Sequence, residues 1–348
     1  MKKIISICIF SFLFSFNFIY ADPTVIDGDG NKHYAGLVEP KDWYEKAVAL
    51  GKVHTDKGLL QDSELPEEYD PRGILFGDNI QSLNQGNCGS CYAFAGATTI
   101  FYSELINYSR KLGGYTDENK SKIDDYAKKE LRAPNVGMKN CTSYSCSGGW
   151  YDSEFDLYVN NGGALLSVVP YSMYAKQCNF LNPDLKIESW GYVGGGNQAG
   201  YPSEKDIKKY VITYGAVAVA VSSSCLSTNP NIGACRTSSY DHAVVIIGWT
   251  KNAYIIQNSW DSKTNSYYYY NVKGYPYAVA FVKVKDFQDQ ITPKPEPDPE
   301  PQPNPDPNPD PDPNPIPDNN FKFATFFVAI GLVIGGILSY FMFRKKKQ

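Results

Sequence analysis

Residues 85–95 read QGNCGSCYAFA, and this stretch decides how the rest is read. A glycine-bearing loop ends at Cys91. Directly after it Phe94, Ile100, Phe101, Leu105 and Tyr108 recur at helical spacing, which predicts a helix over 93–112. A thiolate is favoured at such a place, because the unpaired N–H groups of a first helical turn carry partial positive charge. A free thiol of pKa about 8.5 is only a few per cent ionised at neutral pH. A neighbouring imidazolium is the second device that raises this fraction. The chain has three histidines; His33 and His54 come early, and His242 stands roughly 150 residues after Cys91, a spacing expected of a Cys–His pair that meets only in the fold.

Working outward, the later runs 211–221, 243–249, 253–257 and 278–284 read as strands. A helix first and strands later predict an α+β domain with segregated halves. The 348 residues carry a net charge of −4 and no internal basic patch, which leaves nucleic-acid binding without an electrostatic footprint. The 27 tyrosines are spread along the chain and point to no particular ligand. Of the eight cysteines, Cys8 lies in the N-terminal leader and Cys91 is needed as a free thiol. Cys88, Cys141, Cys146, Cys178, Cys225 and Cys235 remain, an even set suited to disulfides in an oxidising compartment. A zinc site is the competing reading, but paired CxxC spacing is absent, and neither a metal nor a cofactor is expected.

The ends of the chain differ from its middle. Residues 1–21 have the basic start, apolar run and small final residue of a signal peptide, with an uncleaved anchor as the alternative. Residues 22–64 are polar and lack cysteine; they read as a short propeptide or as part of the mature domain, with one amphipathic helical piece at 43–50. Residues 65–287 are the globular part. Residues 288–320 form an acidic spacer in which proline alternates from 293 to 317, which excludes helix and sheet and gives an extended segment of roughly 75–80 Å. An SH3-type ligand is the alternative use of that stretch. The segment 321–343 contains an uncharged apolar run, 323–343, roughly 31 Å long as a helix and so able to cross a bilayer. The basic residues in 344–348 place the C-terminus in the cytoplasm, the arrangement of a single-pass type I membrane protein. A GPI signal is the runner-up.

Three further motifs follow in order: CSGGW at 146–150, DHAVVIIGW at 241–249 and QNSW at 257–260. Together with QGNCGSCYAFA, and with LPEEYDPR at 65–72, they closely resemble papain-family cysteine peptidases over 65–287. The resemblance implies a two-lobed fold, one lobe helical and one a β-barrel-like sheet, with the cleft between them. It implies Cys91 as nucleophile, His242 as its base, Asn258 as the residue orienting His242, Trp260 as the indole covering that hydrogen bond, and Gln85 as a side-chain oxyanion donor. Gly148, Gly149 and Asp241 become the substrate-binding positions, since side-chain-free backbone can pair with an extended peptide. Trp150 and Tyr151 border an apolar or aromatic pocket, or else pack in the core. By resemblance Cys88 pairs with Cys146 and Cys141 with Cys178, leaving Cys225 for Cys235. Sequons at Asn107, Asn119 and Asn140 are candidate glycan sites.

The departures are Tyr92, where tryptophan is usual, and Asp261, where glycine is usual, followed by SKTNSYYYY in place of a glycine- and tryptophan-rich stretch. No histidine lies between Cys91 and His242, which argues against a carboxydipeptidase. The expectation is a membrane-tethered endopeptidase acting on proteins or peptides through a thioester, restrained by its own propeptide and facing a lumen or the cell exterior. An aminopeptidase, a transpeptidase and a non-catalytic surface adhesion protein of the same fold are the rivals.

Overall fold

The structure, a computed structural model, describes residues 24–55, 59–138, 146–173, 181–235, 237 and 239–285. The signal peptide, spacer, apolar C-terminal run, Cys141, Cys178 and Asn140 lie outside them. Among the described residues no helix is long and apolar enough to cross a membrane.

The N-terminal segment folds onto the domain body. β1 (Thr24–Ile26) and β2 (Lys32–Tyr34) form an antiparallel hairpin, α1 (Trp43–Ala49) follows, and β3 (Val53–His54) joins the main sheet. The helical half comes next. α2 (Cys91–Leu112) is buried on almost every side, as its apolar composition demands, and it ends with Arg110 and Lys111 in the last turn, where cations suit the helix dipole. α3 (Lys120–Lys129) and α4 (Asp152–Asn160) pack beside it.

The sheet half begins with β4 (Ser189–Val193). α5 (Glu204–Tyr214) opens with a reciprocal cap between Ser203 and Asp206. It carries 211–214, so the strand expected from 211 starts only at β5 (Val217–Val221). β6 (Leu226–Ser227), β7 (His242–Trp249), β8 (Ala253–Gln257), β9 (Tyr267–Asn271) and β10 (Tyr277–Lys283) complete it. The order is β3-β4-β10-β5-β7-β8-β9-β6, antiparallel except for the β3–β4 pair. The sheet stays open, with β3 and β6 at its edges. This corrects the barrel-like expectation: among the described residues β3 and β6 do not pair, so no ring closes.

Period-two alternation sorts the side chains. Val217, Val219, Val221, Val244 and Ile246 face one core together with Ile207 and Val211 of α5. Ala218, Ala220, Ala243, Ala278 and Ala280 face the other, which holds Cys91, Tyr92 and Ala95 of α2. A row of alanines lets the helix lie close on the sheet, and this contact brings the start of α2 to the start of β7.

Candidate active site

Cys91 is the first residue of α2 and His242 the first of β7. Both are fully buried. The Ala243 N–H, one residue past His242, points at the Cys91 sulfur, as do the N–H groups of Gly36 and Tyr92. His242 Nε2 lies 2.8 Å from Asn258 Oδ1, which also accepts from the Ser259 N–H at 2.7 Å. Two donors on one oxygen fix the amide, so Nε2 carries the proton and Nδ1 presents its lone pair. Among the described residues Nδ1 makes no hydrogen bond. Trp260 stacks on His242 at 4.3 Å and 17°. It lies over the ring that Asn258 holds.

Gln85 Nε2 donates to the Cys88 carbonyl at 2.8 Å and to the Tyr34 carbonyl at 3.0 Å. Trp260 Nε1 donates to the same Tyr34 oxygen at 2.9 Å. A carbonyl oxygen of the N-terminal segment therefore sits on the Gln85 amide, the side chain expected to donate to an oxyanion. The segment runs on past the sulfur. Gly149 N–H donates to Gly36 O at 2.9 Å, Val38 N–H to Gly149 O at 3.0 Å, and Leu37 N–H to Asp241 O at 3.1 Å. Gly149 and Asp241 thus hold an extended peptide, and the pairing with Gly149 is parallel. Gly148, at φ 105°, makes room for it: a methyl there would lie 2.8 Å from Gly36 O. At the other end His33 stacks flat on the free face of Trp260, at 4.1 Å and 2°, with Asp27 behind it at 2.9 Å.

Burial decides the charge state. It pushes the Cys91 thiol up to about 12, against the pull of the Ala243, Gly36 and Tyr92 N–H groups. Burial likewise pushes His242 down to about 3, although the Asn258 bond favours its charged form. Thiol and imidazole are therefore both neutral, since both charged forms are desolvated.

Cys88–Cys146 and Cys225–Cys235 are bonded as expected, and Cys91 is free. Asn107 is buried within α2, and the buried Asn119 donates its side-chain amide to Leu112 O at 2.6 Å. Neither sequon presents an open amide on the folded domain. Asp261 is held by its own loop: its carboxylate accepts from the Lys263 N–H at 3.1 Å and from the Ser266 hydroxyl. The tyrosine run behind it is strand β9.

Two functional residues escaped the sequence reading. The Ser259 hydroxyl donates to Gln85 Oε1 at 2.7 Å and so keeps Nε2 turned to the cleft. Tyr171 donates to the Gln85 carbonyl at 2.9 Å and bonds the Ser90 hydroxyl at 3.0 Å, tying together the two ends of the nucleophile loop. Ser259 sits inside QNSW and could have been noticed there. Tyr171 carries no local signal.

Among curated proteins, the chain is 28% identical over 229 residues to the oryzain beta chain of Oryza sativa subsp. japonica, covering 63% of this chain and 44% of that one. It is 25% identical over 231 residues to the viral cathepsin of Adoxophyes honmai nucleopolyhedrovirus, covering 64% and 61%. The chain thus spans about half the length of these relatives. Among solved structures, procathepsin L2 from Tenebrio molitor larval midgut superposes with a TM-score of 0.51 at 22% identity, over 72% of this chain and 78% of that one, and so shares the fold. The profile described as papain family cysteine protease matches residues 65–277, more than half of the sequence, and the chain belongs to that family.

Proposed function

We propose that the protein is a membrane-tethered cysteine endopeptidase. The observation that supports this best is one cleft shared by Cys91, His242, Asn258 and Gln85. His242 Nδ1 takes the thiol proton, and the sulfur attacks the carbonyl carbon of a peptide bond. The oxygen gains negative charge opposite Gln85 Nε2 and the Cys91 N–H. His242 gives its proton to the amide nitrogen, the C–N bond breaks, the amine leaves and a thioester remains. Water then loses a proton to His242 and attacks the thioester. The acid product departs and the sulfur regains its proton. Asn258 holds the ring throughout, while Gly149 and Asp241 pair with the substrate backbone as they do with residues 36–38.

Residues 22–64 act as the propeptide. Parallel pairing with Gly149 brings the Gly36 N–H, rather than a carbonyl carbon, to the sulfur, so the segment fills the cleft without being attacked. Residues 1–21 direct the chain to the secretory pathway, 321–343 span the membrane, and 288–320 hold the catalytic domain off the bilayer on the lumenal or outer side. The plasma membrane or a lysosome- or vacuole-like compartment suits this topology and the disulfides.

The test uses the full chain after processing, with mixed fluorogenic peptides under reducing conditions, beside its Cys91→Ala variant. Cleavage abolished by the substitution supports the reading. Cleavage that persists in the variant, or a processed and folded parent that cleaves nothing, rejects it.

A further inference from the structure

The N-terminal segment leaves a cast of the cleft, and its largest buried side chain is not the one beside Gly149. Trp43 is 5% exposed and enters a box of aromatic rings belonging to the domain body. Its ring lies 4.6 Å from Tyr192, 5.7 Å from Trp150 and 5.5 Å from Tyr277, the last edge-on at 86°. Its indole N–H donates to the Tyr277 hydroxyl at 2.9 Å. Glu39 Oε1, from the segment itself, accepts from the indole at 3.0 Å and from Tyr277 at 2.7 Å. Gly200 completes the floor: a methyl there would come within 3.1 Å of Trp43 Cζ2. Trp150 directly follows Gly149, so the box adjoins the strand-pairing edge, on the far side of the sulfur from Trp260.

The segment touches two of the walls, through β3 along β4 at Tyr192 and Glu39 on Tyr277, but the domain body also holds each of them. The Tyr192 hydroxyl accepts from Trp150 Nε1 at 2.8 Å and donates to Asp152 at 3.1 Å. Tyr277 stacks on Tyr240 at 4.8 Å and 26°. A concave aromatic pocket held from behind, with one polar atom inside, is the form of a ligand site that survives loss of its occupant. Rings at these separations favour another aromatic ring beyond its area alone.

We propose that this box is a substrate subsite for an aromatic side chain bearing an N–H donor, a tryptophan, on the Gly149 side of the scissile bond. It is separate from the position beside Gly149 that Leu37 fills. The inference rests on the peptidase reading and deepens it. In the processed enzyme the substrate indole replaces Trp43 and donates to the Tyr277 hydroxyl.

Two measurements test it. The processed chain is given fluorogenic peptides identical except for Trp, Leu or Ala at each position on the N-terminal side of the cut. At one position Trp is expected to exceed Ala about tenfold or more in kcat/KM. Tyr277→Phe is expected to lower the Trp-to-Leu ratio about fivefold. Cleavage that is blind to Trp at every position overturns the proposal. The second measurement needs no turnover: N-acetyl-tryptophanamide, but not N-acetyl-leucinamide, is expected to raise the Tm of the full chain carrying Trp43→Ala. Absence of that shift also overturns the box. If no peptide is cleaved while the Tm shift is present, the peptidase reading fails and the box stands as an indole site.

Discussion

Gly36 and Gly89 meet backbone to backbone across the cleft: a methyl on Gly36 would fall 2.0 Å from the Gly89 carbonyl oxygen. Cys88 and the Cys88–Cys146 bridge anchor the Gly89 side, so the strain falls on the N-terminal segment. Gly36→Ala should lift residues 34–38 off the sulfur. Alkylation of Cys91 by iodoacetamide in the full chain is expected to quicken about tenfold or more. An unchanged rate would mean that the segment does not guard the thiol.

The covered pair also sets a pH prediction. With the thiol pushed up to about 12 and the imidazole down to about 3, both stay neutral between those limits. Alkylation of the full chain should therefore be slow from pH 5 to 9 and climb steeply with pH without a plateau, because only the thiolate reacts and its fraction grows about tenfold per pH unit. After processing, water and substrate reach the pair, desolvation falls, and a rise in rate is expected on the acid side of neutrality. The same steep profile before and after processing would sink this account.

Gln85→Ala removes the side-chain oxyanion donor and is expected to lower kcat by about 10²–10³, or about 2.7–4 kcal/mol, with KM little changed. Ser259→Ala frees the amide to rotate and should cost less, in kcat again. Rates for Gln85→Ala within twofold of the parent would remove Gln85 from the mechanism.

Buried carboxyls should lower stability as pH rises past neutrality. Glu154 is fully buried beneath α2, and burial holds its carboxyl well above the usual range. Burial raises Asp152 to about 6. A carboxyl raised in the folded state contributes fully below its unfolded pKa, and that contribution is lost as pH climbs toward the folded value. Asp62 works oppositely: its bonds to Lys205 and Lys209 lower it to about 2, and its support fades below the usual carboxylate range. His242, held down to about 3, works against the buried carboxyls up to the usual imidazole range. Above that range the carboxyls decide, so the Tm is expected to fall from about pH 6.5 toward about pH 8, and Glu154→Gln should flatten that fall. Parallel Tm curves for the two proteins would contradict it.

Asp261→Gly should leave kcat/KM within about twofold, because the carboxylate binds its own loop and not the catalytic pair. A large gain in activity would show instead that Asp261 restrains the enzyme.

What the sequence made legible was chemistry on short motifs. Cys91, His242 and Asn258 could be named because each sits in a run whose neighbours serve the same site. β8 was read to the residue, since AYIIQ is an unbroken apolar strand between turns. The failures share a cause in long-range pairing. Val211 to Tyr214 look like strand, but the cap at Ser203 starts a helix that carries through them. The tyrosines of β9 stood only as a departure from the family's pattern, and β8 and β6 on either side make them a strand. The open sheet edge and the seating of Trp43 likewise depend on partners far away in sequence.

The N-terminal segment grips the body at separated places: the His33 ring on Trp260, the strand through Gly149, Trp43 in its box, and β3 along β4. While the chain is continuous these contacts act at a fixed high effective concentration. One cut between β3 and residue 65 turns the same contacts into an ordinary bimolecular equilibrium. On this reading restraint ends by dilution: a processed enzyme in a small closed compartment re-binds its severed segment, and one released into a large volume stays open.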